Sequence, residues 1–261
     1  MTLTKVLAIA VLGVWVSPAQ VGGGGAPAPP KVDGTALLTR ATQLYGAKSY
    51  SSALMVFRQA AEIGNVEAMM YLGVMYGTGQ GTPVDYKEAA VWFRKAAQGG
   101  DSQAMNNLGL LYYQGNGVPK DYHEALSWFH KAADLGNGEA MFNTGLLCRN
   151  GLGVPPNMAE ALRWFRKAAD AGDPLAANEL GVMYEKGQGV SVDYRAAMSW
   201  YQKAAEDGNA PAMYNLGALY EAGLGVAVNR QEAIGWYKRA RARGNTAARE
   251  ALERLGPEPR P

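Results

Sequence analysis

Between residues 65 and 255 the apolar positions come in short groups with a helical period, separated by polar and glycine-rich stretches. Ala68, Met69, Leu72, Met75 and Tyr76 stand at i, i+1, i+4, i+7 and i+8, the spacing that lines one stripe of an amphipathic helix. Ala89, Trp92, Phe93 and Ala96 form a second stripe, in which small residues alternate with large ones so that neighbouring helices can interlock. Both stripes return four more times at an offset of 36 residues. Trp92, Trp128, Trp164, Trp200 and Trp236 share one column, and Gly73, Gly109, Gly145, Gly181 and Gly217 share another. Further glycine columns start at Gly79, Gly81 and Gly100, so four columns of five hold 20 of the 33 glycines. No insertion breaks the register, which is the mark of a repeat architecture.

Helix ends are as regular as helix faces. Gly64-Asn65, Gly100-Asp101, Gly136-Asn137, Gly172-Asp173 and Gly208-Asn209 each place a left-handed glycine beside an N-cap residue, closing one helix and opening the next. A G-x-G turn stops the first helix of each repeat. Asp85 with Glu88, Asp121 with Glu124, Asn157 with Glu160 and Asn229 with Glu232 then have capping-box spacing, while Asp193 faces Ala196 instead of a glutamate. The glycine inside the first stripe, Gly73 and its equivalents, costs roughly 1 kcal/mol relative to alanine in a helix and predicts close approach of a neighbouring helix. Two helices per 36 residues, stacked side by side, predict an all-α fold of the α-solenoid class.

The consensus A-M-x-x-L-G-x-x-Y-x-x-G-x-G-V-x-x-D-x-x-E-A-x-x-W-F-x-K-A-A-x-x-G resembles the Sel-one-like repeat, a relative of the tetratricopeptide repeat with a longer loop between its helices. The resemblance covers 65–100, 101–136, 137–172, 173–208 and 209–244. Residues 35–64 are similar instead to a shorter tetratricopeptide-like hairpin, through Leu38, Ala41, Tyr45, Tyr50, Ala53, Leu54, Phe57 and Ala60. Residues 245–255 match only a first helix and read as a cap, with Ala248 and Leu252 inward and Arg249 and Arg254 charged. The resemblance implies a right-handed solenoid over 35–255. It also implies protein–protein scaffolding, with no catalytic residues shared across the family.

The ends of the chain read differently. Met1–Lys5 is a short basic start and Val6–Val16 an apolar run, followed by Ser17-Pro18-Ala19. That pattern predicts a signal peptide over 1–19 cleaved after Ala19, because a bilayer span takes about 20 apolar residues and this run is shorter. Residues 20–34, rich in glycine and proline, read as a flexible tether, and 256–261 as a disordered tail. An exported chain, in a periplasm or a secretory lumen, is the expectation.

Composition narrows the chemistry. Lysine and arginine total 25 against 23 for aspartate and glutamate, and only Lys5 lies in the leader, which leaves 24 − 23 = +1 beyond it. Nucleic acid as a partner normally needs a markedly basic domain. A single cysteine and two histidines argue against a disulfide framework, a cysteine- or histidine-based metal site or a histidine-driven catalytic centre, so neither cofactor nor enzyme activity is expected. The G-x-G turns lack the lysine and the preceding strand of a phosphate loop. His123 and His130 fall in columns of charged, exposed residues, whereas Cys148 takes the place of Tyr76, Tyr112, Tyr184 and Tyr220 on the buried stripe. Arg94, Lys95, Lys131, Arg166, Lys167, Lys203, Lys238 and Arg239 could line up as a basic ridge, but they stand near second-helix C-termini, where cations suit the helix dipole, and read as a solvated face.

The varied columns of the first helices are the candidate binding residues, because first helices line the concave face of related solenoids. The position three before the packing glycine supplies Met70, Asn106, Phe142, Asn178 and Tyr214. The next position runs Tyr71, Asn107, Asn143, Glu179 and Asn215, of which the three asparagines are candidates, and the one four after the glycine runs Gly77, Tyr113, Arg149, Glu185 and Glu221, of which the last four are candidates. Aromatics and amides facing solvent suit an extended peptide or a glycan. The asparagines also fit a second role, bonding the adjacent helix. A monomeric, non-catalytic scaffold that binds a protein or peptide is the leading expectation, with a cell-wall polysaccharide-binding protein as the alternative. A secreted hydrolase of β-lactamase-like type comes last, since the cysteine pairs of the family members linked to that chemistry are absent.

Overall fold

The computed structural model describes residues 33–256; the expected leader, most of the expected tether and residues 257–261 lie outside them. Asp33 and Gly34, counted above with the tether, are instead the N-cap and first residue of a helix, with the Asp33 carboxylate accepting from the Thr35 N–H. Contacts divide the described chain into two compact units, 33–100 and 101–256. The first holds α1 (Gly34–Gly46), α2 (Tyr50–Glu62), α3 (Val66–Thr78) and α4 (Tyr86–Gln98). The second holds α5 (Ser102–Gln114), α6 (Tyr122–Asp134), α7 (Gly138–Asn150), α8 (Met158–Asp170), α9 (Pro174–Lys186), α10 (Tyr194–Glu206), α11 (Ala210–Ala222), α12 (Arg230–Ala242) and α13 (Thr246–Leu255). Within each unit, helices that follow one another in the chain form hairpins that stack, the arrangement of an α-solenoid. Among the described residues none of the helices is long and apolar enough to cross a membrane.

The caps explain why each helix starts where it does. Asp101 Oδ1 accepts from the Ala104 N–H at 2.7 Å and Asn137 Oδ1 from the Ala140 N–H at 2.9 Å, satisfying donors that a helix start leaves without partners. The capping boxes form only by half. The N-cap N–H of Asp85, Asp121, Asn157, Asp193 and Asn229 donates to the carbonyl of Tyr76, Tyr112, Cys148, Tyr184 and Tyr220 and not to a glutamate, which clamps each loop onto the first helix. Asp193, without a glutamate partner, caps as well as the others, accepting from the N–H groups of Arg195 and Ala196.

The mid-helix glycines meet an aromatic ring of the second helix in the same hairpin. A Cβ at Gly145 would lie 2.7 Å from the buried Phe165 ring, and one at Gly181 2.4 Å from Tyr201. The loop glycine Gly153 (φ +76°) plays a different part: a Cβ there would sit 2.6 Å from the Tyr122 carbonyl oxygen, so this loop rests on the start of the preceding second helix. The tryptophan column is less buried than its apolar stripe predicts, because Trp128, Trp164, Trp200 and Trp236 are half-buried. A cation one turn further along covers each indole: Lys131 Nζ lies 4.1 Å from the Trp128 ring centroid and Lys167 Nζ 4.2 Å from that of Trp164. The lysines of the ridge thus cover indole faces that would otherwise be wet.

Candidate functional site

Of the twelve candidate residues, Met70 lies half-buried on α3 in the first unit and the other eleven lie in residues 101–256. Asn106, Asn143 and Asn178 do not face solvent. They are 0%, 2% and 6% exposed, because two asparagine columns on successive first helices bond one another. Asn143 Nδ2 donates to Asn106 Oδ1 at 2.9 Å, and Asn215 Nδ2 donates to Asn178 Oδ1 at 3.2 Å. Asn106 Nδ2 in turn donates to Glu139 Oε2 at 3.2 Å. Buried amides that satisfy each other in this way tie helix to helix.

Ion pairs alternate with these amide rungs. Between α7 and α9 the Arg149 guanidinium donates to the Glu179 carboxylate, and between α11 and α13 Arg254 donates to both carboxylate oxygens of Glu221 at 2.8 and 2.7 Å. Glu221 also accepts from the Tyr237 hydroxyl at 2.7 Å, and Glu185 accepts from Tyr201 at 2.6 Å. Burial, reinforced by the carboxylate that each hydroxyl faces, pushes both phenols far above the usual tyrosine range. They remain protonated donors at any physiological pH, so the glutamates are held as acceptors. Glu139, Glu179, Tyr201, Tyr237 and Arg254 complete this network from outside the candidate set; Glu179 shares the column of Asn107, Asn143 and Asn215, and Tyr201 and Tyr237 share that of Phe93, but spacing does not disclose their partners, which stand 16 to 33 residues away.

The first-helix face of residues 101–256 is therefore a row of polar rungs with two aromatic side chains between them. Phe142 and Tyr214 are half-buried, and each leans on the inner ring of its own hairpin, with centroids 5.6 Å from Phe165 and 5.4 Å from Tyr237. Tyr113 stands near the loop, 5.4 Å from Tyr122, and Asn107 is half-buried earlier on α5. If Asn143 is replaced by alanine, the buried Asn106 oxygen loses its donor. The expected cost is about 1–3 kcal/mol in chemical denaturation, and a cost below that range would show that Asn106 finds another partner. The double replacement Asn106→Leu/Asn143→Leu, which removes both ends, should cost less than the sum of the two singles.

The histidines separate. His123 is exposed, with Nδ1 3.4 Å from the Gly153 carbonyl oxygen, whereas His130 is half-buried and its Nε2 is enclosed, which corrects its assignment to an exposed column. Burial lowers the His130 pKa, and burial pushes the Cys148 thiol up. Among the described residues no cluster of three or more histidine, cysteine, aspartate or glutamate side chains could hold a metal ion.

The repeat geometry has counterparts in known proteins. The family model of the Sel1 repeat matches residues 66–101, 102–137, 138–173, 174–209 and 210–245. The chain belongs to the Sel1 repeat family. Among solved structures, a Sel1 repeat protein from Oxalobacter formigenes is 33% identical, covers 86% of this chain and 94% of its own, and superposes with a TM-score of 0.77. The structure of c5321, a protective antigen of uropathogenic Escherichia coli with an SLR fold, is 32% identical over 85% of this chain, with a TM-score of 0.81. The match covers 49% of c5321, so this chain spans about half of that protein's length. A search of curated proteins finds none that matches. Sel1-repeat proteins are protein-interaction scaffolds, and the stacked hairpins of this chain are the frame on which such a role is built.

Proposed function

We propose that this Sel1-repeat protein is a non-catalytic scaffold that holds a peptide or protein segment on the first-helix face of residues 101–256. The observation that carries this reading is the pair of half-buried aromatics, Phe142 and Tyr214, set in a row of polar rungs. Aromatic area on a rigid helical frame loses little conformational freedom on binding, which favours it as an anchor. The same rungs weigh against the polysaccharide alternative, since Asn106, Asn143, Asn178 and Asn215 spend amide groups on one another instead of offering them to sugar hydroxyls. Hydrolysis is disfavoured as well, because Cys148 is buried with a raised pKa and a thiol, unlike a thiolate, is a poor nucleophile.

Crosslinking capture from envelope extract, run beside co-sedimentation with insoluble cell wall, tests the reading. Recovery of a defined protein partner with no sedimentation is expected, and sedimentation without a crosslinked protein would reverse it. We place the scaffold outside the cytoplasm on the strength of the basic start, the apolar run and the small residues up to Ala19. Intact mass of the exported protein should then begin at Gln20 and show Cys148 as an unmodified thiol. A soluble pool that retains Met1 would remove the basis for export.

A further inference from the structure

An arginine–tyrosine pair plugs the junction between successive hairpins at two places, and one junction has lost both members. A column on the second helices holds Arg58, Arg94, His130 and Arg166, and a column 18 residues further on, on the first helices, holds Tyr76, Tyr112, Cys148 and Tyr184. In the first unit the Arg58 guanidinium donates to the Tyr76 hydroxyl, and in the second unit Arg166 donates to the Tyr184 hydroxyl. At His130 and Cys148 both members are replaced together by shorter side chains. A cavity of about 400 Å³ lies there, between α6, α7, α8 and the loop before α8, lined by Leu126, His130, Cys148, Pro156, Glu160 and Trp164 among others. That volume falls in the range of about 300–1,000 Å³ typical of small-molecule sites.

The walls define what fits. Leu126, Pro156 and Trp164 offer apolar surface, and the His130 ring stacks on Trp164 with centroids 5.2 Å apart and planes 21° from parallel. His130 Nε2 is buried without a hydrogen-bond partner, although a buried polar nitrogen is normally paired. A hydroxyl can pair with it in either tautomer, donating to a bare nitrogen or accepting from an N–H. The Glu160 carboxylate in the wall, paired with Arg163, which is not part of the lining, disfavours an anionic ligand. We propose that this cavity receives a tyrosine side chain from a peptide partner. The phenol ring takes the place that the chain's own Tyr76 and Tyr184 take in the corresponding column, and its hydroxyl bonds to His130 Nε2. Only the choice of a peptide as carrier rests on the scaffold reading; the cavity and its chemistry do not.

The test is titration of the full chain with 4-methylphenol, followed by NMR of the imidazole resonances. The chain has two histidines, so His123 serves as the control. A saturable shift of His130 with His123 unmoved is expected. Toluene, which lacks the hydroxyl, should bind about fivefold more weakly. 4-Methylbenzoate should not saturate. The variants Cys148→Tyr and His130→Arg/Cys148→Tyr, which rebuild the plug, should keep full helicity by circular dichroism and lose the response of the Trp164 indole N–H to 4-methylphenol by at least about tenfold. Absence of a saturable His130 shift, or undiminished binding by a folded plug variant, overturns the proposal. Binding of 4-methylphenol without binding of N-acetyltyrosinamide would confine the site to free phenols and overturn the peptide assignment. None of these results bears on Phe142 and Tyr214, so failure here leaves the first-helix reading standing and failure there leaves the cavity standing.

Discussion

Gly145→Leu should destabilise the middle of residues 101–256 by about 3 kcal/mol, the upper end of the usual overpacking cost. The Cβ alone would lie 2.7 Å from Phe165 Cε1, and Phe165 is fully buried. Even Gly145→Ala, which gains roughly 1 kcal/mol of helix propensity, should come out destabilising, because the ring contact outweighs that gain. The ring supplies its own control. Phe165→Leu should cost less in the Gly145→Ala background than in the wild type, since the smaller side chain relieves the contact. Repeats contact only their neighbours, so hydrogen exchange should quicken first in α7 and α8 and least in α13. An unchanged denaturation midpoint for Gly145→Leu would mean that the packing of the glycine column on its ring is wrong.

The second large effect concerns binding. Replacing Phe142 and Tyr214 by alanine should lower capture of the partner by about 2 kcal/mol or more per aromatic, which is a loss of more than tenfold for each. Helicity should stay, because the buried rings beneath them, Phe165 and Tyr237, remain in place. Asn178 does not belong in this variant even though it shares their column, since it is 6% exposed and bonded to Asn215. Its loss would confound binding with folding. The matching control is the outer ridge: alanine at Lys131, Lys167 and Lys203, whose ammonium groups cover tryptophan rings at 4.1, 4.2 and 5.3 Å. Capture at moderate salt should be unaffected by it. Should the ridge variant lose capture while the aromatic variant keeps it, the partner docks on the second helices and the first-helix face is not the site.

How far these residues could be read beforehand depends on the range of the force that places each of them. Helix positions, hairpin order and repeat register follow from contacts within about four residues and from glycine at left-handed turns, and both leave a visible period in the chain. The aromatic pair Phe142 and Tyr214 was legible for the same reason, as a variable position within a periodic one. The burial of Asn106, Asn143 and Asn178 was not. An amide has the same spacing in the chain whether it meets water or another amide, and its partner here stands 37 residues away on the next first helix. The capping boxes misled in a related way. Local spacing offers glutamate to the N-cap N–H, but the folded loop brings a first-helix carbonyl to it instead. His130 read as an ordinary member of an exposed, charged column, and Cys148 as an isolated exception to a tyrosine column. Only stacking of α6 against α7 makes them one substitution, because loss of volume on two helices becomes a cavity when the helices face each other.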